Sequence, residues 1–150
     1  MTLAALIIWF AAVVVGLCLL AIWLIEYDKS EVQSHLPRTV ISAHALLAVG
    51  GLVVWSAYLN GGASGLAWTA ILILVVVAVL GLTMAGRWVG VYRAYKAPTA
   101  ALVPAGARGV ISDRLVPPER RFPVPVVIAH GVLAAATIVM VLLTAFTPGS

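Results

Sequence analysis

The sequence contains one stretch that occurs twice. The first copy, at residues 36–48, reads LPRTVISAHALLA, and the second, at residues 122–134, reads FPVPVVIAHGVLA. A constant offset of 86 residues aligns identical residues at six positions: Pro37 with Pro123, Val40 with Val126, Ala43 with Ala129, His44 with His130, Leu47 with Leu133 and Ala48 with Ala134. Each copy opens a long apolar run and carries one histidine just inside it. The repeat therefore predicts two related halves with a histidine at the same place in each.

The composition is that of an integral membrane protein. Of the 150 residues, 63% are hydrophobic and 9% are charged, and so few charges could not cover the surface of a soluble domain. A bilayer core requires runs of about 20 apolar residues, and the sequence has four. The alternating strands of an outer-membrane barrel are absent. We therefore predict an all-α integral membrane protein, a single domain over 1–150, with four transmembrane helices arranged as two repeated helical hairpins in a bundle.

The predicted spans are separated by two charged loops and one uncharged turn. The turn covers residues 60–65 and is rich in glycine, which favours a tight connection. The stretch 97–121 is rich in Ala, Pro and Gly, so we expect mostly irregular structure there. The charged loops cover 26–36 and 88–122, and the spans cover about 2–25, 37–59, 66–87 and 123–146.

The positive charges predict the orientation. Seven of the nine Lys and Arg lie in the two charged loops, and the other two, Arg38 and Arg87, lie at the ends of the spans that adjoin those loops. The positive-inside rule places those loops in the cytoplasm and both termini outside. With an Arg-rich, Ala- and Gly-rich composition typical of GC-rich bacterial coding, this predicts a multi-pass protein of the bacterial inner (cytoplasmic) membrane. The net charge of +4 then reflects topology and contact with anionic lipids. No soluble basic face is present, so nucleic acid is not an expected partner.

Most motifs of catalysis are missing. Cys18 is the single cysteine, which excludes a disulfide or a thiolate cluster within one chain. Phosphate loops, HExxH and nucleophile elbows are absent. No acidic residue or broken helix lies at the midplane of a span, which disfavours a transporter or channel. An electron-transfer or accessory subunit is therefore favoured over a stand-alone enzyme.

The histidine pair is the main candidate site. Helices two and four run in the same direction because one hairpin separates them. His44 follows Arg38 by six residues, roughly 9 Å along a helix, and His130 follows Pro123 by seven. The two imidazoles thus lie at matching depths in the cytoplasmic half of the bilayer. An ionisable side chain there is costly, faces the protein interior and is a functional candidate.

Two histidines at one depth suit ligation of a haem iron between them. A neutral imidazole binds iron through one ring nitrogen, and a neighbour orients the other. Small residues one and two turns along each helix leave a slot for a flat macrocycle: Ala48 and Gly51 near His44, Ala134 and Thr137 near His130. Cytoplasmic arginines are available to pair with the propionates: Arg38, Arg87, Arg120 and Arg121.

With these residues the chain resembles the membrane b-type cytochromes built on a four-helix bundle, namely the cytochrome b561-like group and the membrane subunits of hydrogenases and formate dehydrogenases. The resemblance covers the architecture of all four spans, the two histidines, their small neighbours and the cytoplasmic arginines. It implies one haem b whose iron is held by His44 and His130, and a quinone or a cytoplasmic redox partner. Those families commonly carry a second histidine pair, which the outer half lacks here, so we expect a one-haem relay or one subunit of a larger complex.

Other interpretations of the pair remain open. A histidine in a membrane helix can bond a neighbouring carbonyl or hydroxyl, and small residues often serve packing alone. A proton, metal-ion or quinone role is a further alternative. At the level of the whole protein, the rival is a non-catalytic accessory subunit of a larger respiratory or transport complex, or a homo-oligomer. His35 is expected to be solvated, with a role as an outer ligand or in a quinone site left open.

Overall fold

Four long helices make up most of the structure. It is a computed structural model and describes residues 1–30, 33–94 and 116–146. The four helices are long and apolar enough to cross a membrane, and the described residues contain no strand. The prediction of an all-α membrane protein with four transmembrane helices is therefore confirmed. The helices are α1 (Thr2–Lys29), α2 (Arg38–Gly61), α3 (Ser64–Ala94) and α4 (Val124–Phe146).

The helix ends differ from the predicted spans mainly on the side that carries the arginines. Helix α3 continues past the predicted end at Arg87 to Ala94, so residues 88–94, predicted as part of a loop, are helical. The helix continues because buried Val91 keeps its inner face apolar. At the opposite side, α2 ends at Gly61, and the next residue, Gly62, has a left-handed φ of 68°, as is common after a helix.

The connection between α3 and α4 is described only in part. Most of the predicted irregular stretch 97–121 lies outside the described residues, as does the tail 147–150. The described part contains a short 3-10 helix, Pro118–Arg121, directly before α4. Pro37 precedes α2, and its carbonyl accepts from the N–H of Ile41 at 3.1 Å. Each proline thus lies outside the regular helix, where its missing N–H costs nothing.

The tightest helix pairs are not the two hairpins of the predicted repeat. That repeat pairs α1 with α2 and α3 with α4, but α2 packs most extensively on α3, the helix to which the turn at Gly62 joins it, and α1 packs most extensively on α4. The contacts between α1 and α2 and between α3 and α4 are sparser. The bundle therefore consists of two close pairs, α2/α3 and α1/α4, with a looser seam between them. Helices α2 and α4 occupy opposite corners.

Tryptophans fill the bundle at the end away from the arginines. Trp9 and Trp55 are both buried. The Nε1–H of Trp9 donates to the carbonyl of Ala48 at 3.1 Å, and that of Trp55 donates to the carbonyl of Thr2 at 3.3 Å. Gly51 makes room for Trp9, since a Cβ there would lie 2.6 Å from Trp9 Cζ2. These indoles close the seam at this end.

A buried carboxylate organises the other end, which we call the arginine end because Arg38, Arg87, Arg120 and Arg121 lie there. Glu119 is fully buried. One oxygen accepts from Ser34 Oγ at 2.9 Å, and the other accepts from the backbone N–H of His35 at 2.7 Å and lies 3.1 Å from His35 Nδ1. Ser34 in turn accepts from Trp23 Nε1 at 3.1 Å. The 3-10 helix is thereby fixed to the segment that leads into α2.

Candidate functional site

The structure brings His44 and His130 together across the seam of the bundle. Their ring centroids are 6.1 Å apart, and the ring planes make an angle of 70°. His44 comes from the pair α2/α3 and His130 from the pair α1/α4. Each close pair of helices therefore contributes one imidazole, and the two rings face each other from opposite walls.

Each imidazole is fixed by a hydrogen bond within its own helix pair. His44 Nδ1 lies 3.0 Å from the carbonyl oxygen of Val77 on α3, and His130 Nδ1 lies 3.0 Å from that of Ala12 on α1. A carbonyl only accepts, so each Nδ1 carries a proton and donates it. In a neutral imidazole the other nitrogen, Nε2, is then unprotonated and keeps its lone pair. The fold thus selects the tautomer that can bind a metal through Nε2.

A glycine makes each of these hydrogen bonds possible. Gly16 follows Ala12 by one helical turn, and Gly81 follows Val77 in the same way. In a helix, a side chain covers the turn that precedes it, so glycine leaves the acceptor carbonyl open to the imidazole. A Cβ at Gly16 would lie 2.9 Å from Cε1 of His130, and one at Gly81 would lie 3.1 Å from Cε1 of His44. The rings therefore pack directly on glycine backbone.

Gly16 and Gly81 were missed by the sequence analysis, although the sequence carries a signal for them. An offset of 65 residues aligns AVVVGL at 12–17 with VAVLGL at 77–82, and it also aligns Trp23 with Trp88 and Tyr27 with Tyr92. The first helices of the two hairpins thus repeat with one offset and the second helices with another. A search at the single offset of 86 finds only the second helices. Together, the two offsets describe a pseudo-twofold relation between the halves of the site.

An apolar cavity of about 370 Å³ lies between the histidines and along the seam. Both imidazoles contribute to its wall. Trp9 lies at one end, and Trp23, Trp88, Leu36 and Phe122 lie at the arginine end. The remaining wall is almost entirely aliphatic and glycine. The site is therefore a slot between two helix pairs in which two ring nitrogens are the principal polar atoms.

The predicted small neighbours of the histidines divide into two groups. Ala48, Ala134 and Thr137 line the cavity. The Thr137 hydroxyl donates to the carbonyl of Leu133 in its own helix, so it presents no free donor. Gly51 does not belong to the wall, because the indole of Trp9 occupies the space beside it.

The predicted arginines lie at the arginine end and contact protein groups outside the cavity wall. Arg38 bonds the Tyr27 hydroxyl and lies over the Tyr27 ring, and Arg120 lies 4.7 Å from the centroid of the Tyr92 ring. Arg87 donates to the carbonyl of His35 at 3.1 Å, and Arg121 Nε lies 2.9 Å from Glu26 Oε2. Of these four side chains, none lines the described cavity.

A metal site made of protein side chains alone is not present in the described ranges. They contain no group of three or more His, Cys, Asp or Glu that could hold an ion. His35 is half exposed beside Glu119, in the segment before α2 and outside the wall of the cavity. The site thus offers two imidazoles and an apolar slot.

Comparison of the chain with protein-family models, curated proteins and solved structures finds no match. Any assignment of function therefore depends on the chemistry of the slot.

Proposed function

We propose that the chain is a small b-type cytochrome-like electron-transfer subunit in which His44 and His130 are the axial ligands of one haem b. The observation that carries the proposal is the relation of the two imidazoles. Their ring centroids lie 6.1 Å apart in the wall of an apolar cavity, and each ring donates a hydrogen bond from Nδ1 to a backbone carbonyl, which leaves Nε2 free to bind iron.

The spacing of the rings fits a shared metal. A metal–imidazole bond is about 2 Å long, and a ring nitrogen lies about 1 Å from the ring centroid, so two imidazoles on opposite sides of one ion have centroids about 6 Å apart. The observed separation is 6.1 Å.

The composition of the site favours a haem over a bare ion. Protein sites for transition metals generally supply three or more ligands, and here the described residues supply two imidazoles. A porphyrin brings the four equatorial ligands itself and needs only two axial ones. Its flat apolar faces match a slot bounded by Gly16, Gly81, Ala48 and Ala134.

The residues of the chain have separate tasks in this proposal. A bound haem supplies reversible one-electron transfer, at a potential set by its axial ligands and surroundings. The carbonyls of Ala12 and Val77 hold the imidazole orientation and increase the basicity of each ring. The apolar wall excludes water. Trp9 and Trp55 fill the far end, so the partner, a quinone or a soluble redox protein, exchanges electrons at or near the arginine end.

The proposed orientation places the arginine end in the cytoplasm of a bacterium and both termini outside. A thiol-labelling experiment tests it. In a Cys18→Ala background, Asn60→Cys at the C-terminal end of α2 should react with a membrane-impermeant maleimide in intact cells, whereas His35→Cys should react only after lysis. The reverse pattern would overturn the orientation.

An optical spectrum of the detergent-purified protein tests the haem proposal. We expect a sharp Soret band and, after dithionite, resolved α and β bands of a low-spin haem. His44→Ala or His130→Ala alone should abolish the low-spin bands, while the control His35→Ala, outside the cavity, should keep them. A preparation that stays colourless after haem supplementation during expression would overturn the proposal.

The second candidate, an accessory subunit of a larger membrane complex or a homo-oligomer, is favoured by one surface feature. Gly86 and Gly90 lie four residues apart on α3 and have no neighbour within 4 Å where a Cβ would be, a spacing that lets membrane helices approach closely. Native gel electrophoresis of mild-detergent extracts tests it. Gly86→Leu should dissociate the oligomer or complex into smaller species, whereas the control Gly50→Leu, on α2, should leave it intact.

A further inference from the structure

The two tryptophans at the arginine end of the cavity occupy equivalent positions. Trp23 on α1 and Trp88 on α3 are related by the offset of 65 residues, and both contribute to the cavity wall. Each is stacked on a tyrosine one turn further along, with centroids 4.8 Å apart for Trp23 and Tyr27 and 5.5 Å apart for Trp88 and Tyr92. The pseudo-twofold relation thus extends to the entrance of the slot.

The two indoles differ in their hydrogen bonds. Trp23 Nε1 donates to Ser34 Oγ at 3.1 Å. Trp88 Nε1 is buried and has no hydrogen-bond partner within the described residues. A buried tryptophan N–H usually finds an acceptor, and an unpaired one requires an explanation.

The surroundings of Trp88 indicate which acceptor it would take. The cavity wall nearby is apolar, with Met84, Ala85 and Phe122, so the wall itself supplies no acceptor. Positive charge lies close: Arg87 precedes Trp88, and Arg120 covers the Tyr92 ring on which Trp88 stacks. A donor beside cations favours an anionic oxygen.

We propose that Trp88 Nε1 donates a hydrogen bond to a carboxylate of the ligand in the cavity, so that the carboxylate edge of the ligand lies at the arginine end. The inference rests on the proposed function, in which that carboxylate is a haem propionate. In this proposal the carboxylate is bound by Trp88, whose Nε1 has no partner among the described residues. It is not bound by the four arginines, whose described contacts are with protein groups outside the cavity wall.

A comparison of two porphyrins tests the inference. The full-length apoprotein in detergent is titrated with haem b and with iron etioporphyrin, which has no carboxylate, and Kd is followed at the Soret band. Trp88→Phe should weaken haem b binding about ten- to hundredfold, since a hydrogen bond to a charged group is lost, and should leave iron etioporphyrin binding unchanged. Trp23→Phe, which removes the indole bonded to Ser34, should not discriminate between the two porphyrins.

The possible failures can be told apart. If Trp88→Phe weakens both porphyrins equally or neither, the indole only packs, and the inference is overturned while the proposed function stands. If the wild-type protein binds neither porphyrin, both are overturned. Ultraviolet resonance Raman difference spectra of the wild-type protein provide a second measurement that requires no variant: haem b should shift an indole N–H band that iron etioporphyrin leaves in place, and equal spectra would overturn the inference.

Discussion

Gly16 lies directly beneath the imidazole of His130, so that a Cβ at this glycine would stand 2.9 Å from Cε1 of the histidine. The same relation joins Gly81 to His44 at 3.1 Å. Real Cβ atoms do not approach a neighbour as closely as 2.9 Å, so an alanine at Gly16 must displace the ring. The ring of His130 also donates a hydrogen bond from Nδ1 to the carbonyl of Ala12, one turn before Gly16. Displacing the ring would weaken this hydrogen bond, which orients Nε2.

We therefore expect Gly16→Ala to weaken haem affinity about 5- to 150-fold, the effect of an overpacking cost of about 1–3 kcal/mol. Gly81→Ala, at the larger distance, should have a smaller effect. Haem titration and the ratio of low-spin to high-spin bands measure both. Gly50→Ala is the matched control, since Gly50 has open space where a Cβ would be and does not line the cavity. Equal affinities for Gly16→Ala and Gly50→Ala would contradict the role of the glycine.

The angle between the imidazole planes predicts a magnetic signature. The rings make 70°, and the carbonyl bonds of Val77 and Ala12 hold each ring in its orientation. Near-perpendicular axial imidazoles give ferric low-spin haem a strongly anisotropic signal with one large g value, whereas parallel rings give a rhombic signal. Electron paramagnetic resonance of the oxidised protein should show the anisotropic form. A rhombic spectrum would mean that the rings turn when haem binds.

Removal of the Glu119 carboxylate should destabilise the arginine end. Glu119→Ala leaves the donors of Ser34 and His35 without their buried acceptor, which costs about 3 kcal/mol. We expect a lower free energy of unfolding in sodium dodecyl sulfate titrations and faster tryptic cleavage after Arg120 and Arg121. Glu119→Gln keeps one acceptor oxygen and should lose less.

The exposed Asp28 provides the control for this experiment, and Asp28→Asn should unfold and be cleaved as the wild-type protein does. If Glu119→Ala behaved like Asp28→Asn, the buried carboxylate would have no part in holding the 3-10 helix.

The tryptophan-filled end of the bundle can be tested through adjacent glycines. A Cβ at Gly51 would lie 2.6 Å from Trp9 Cζ2 and 2.9 Å from Ile73 Cγ2, whereas Gly50 has open space. Gly51→Ala should lower the free energy of unfolding by about 1–3 kcal/mol, and Gly50→Ala should change it by about 0.5 kcal/mol or less. Equal unfolding curves would show that Trp9 can leave its place without cost.

The sequence predicts the helices well because a bilayer makes severe demands on a chain. Four long apolar runs have no stable alternative to spanning helices when every backbone polar group must be satisfied internally. The repeat at 36–48 and 122–134 likewise places His44 and His130 at one depth, since helical rise is constant. Helix ends were less predictable: α3 runs on beyond Arg87 to Ala94 because charged side chains beyond the bilayer do not stop a helix.

The sequence could not show which helices pair closely. The repeat suggested α1 with α2 and α3 with α4, but the close packing of α2 on α3 and of α1 on α4 depends on how side chains interlock across the bundle. That pairing forms the site: His44 donates a hydrogen bond to a carbonyl of α3, His130 donates one to a carbonyl of α1, and the slot lies between the two helix pairs. It also explains why Gly51 does not line the slot, although its spacing from His44 predicted that it would: the indole of Trp9 packs against this glycine.

Hydropathy and helical rise are local properties of the chain, so the sequence is enough to predict four membrane helices with two histidines at matching depth. The packing of the helices, in contrast, sets the 6.1 Å separation of the two rings and lets Gly16 and Gly81 expose the carbonyls that orient them. It also leaves Trp88 Nε1 without a hydrogen-bond partner in the described part of the chain, whereas Trp23 Nε1 donates to Ser34. These relations join residues far apart in the chain. They follow from packing, in which the shape of one helix selects the partner that fits it.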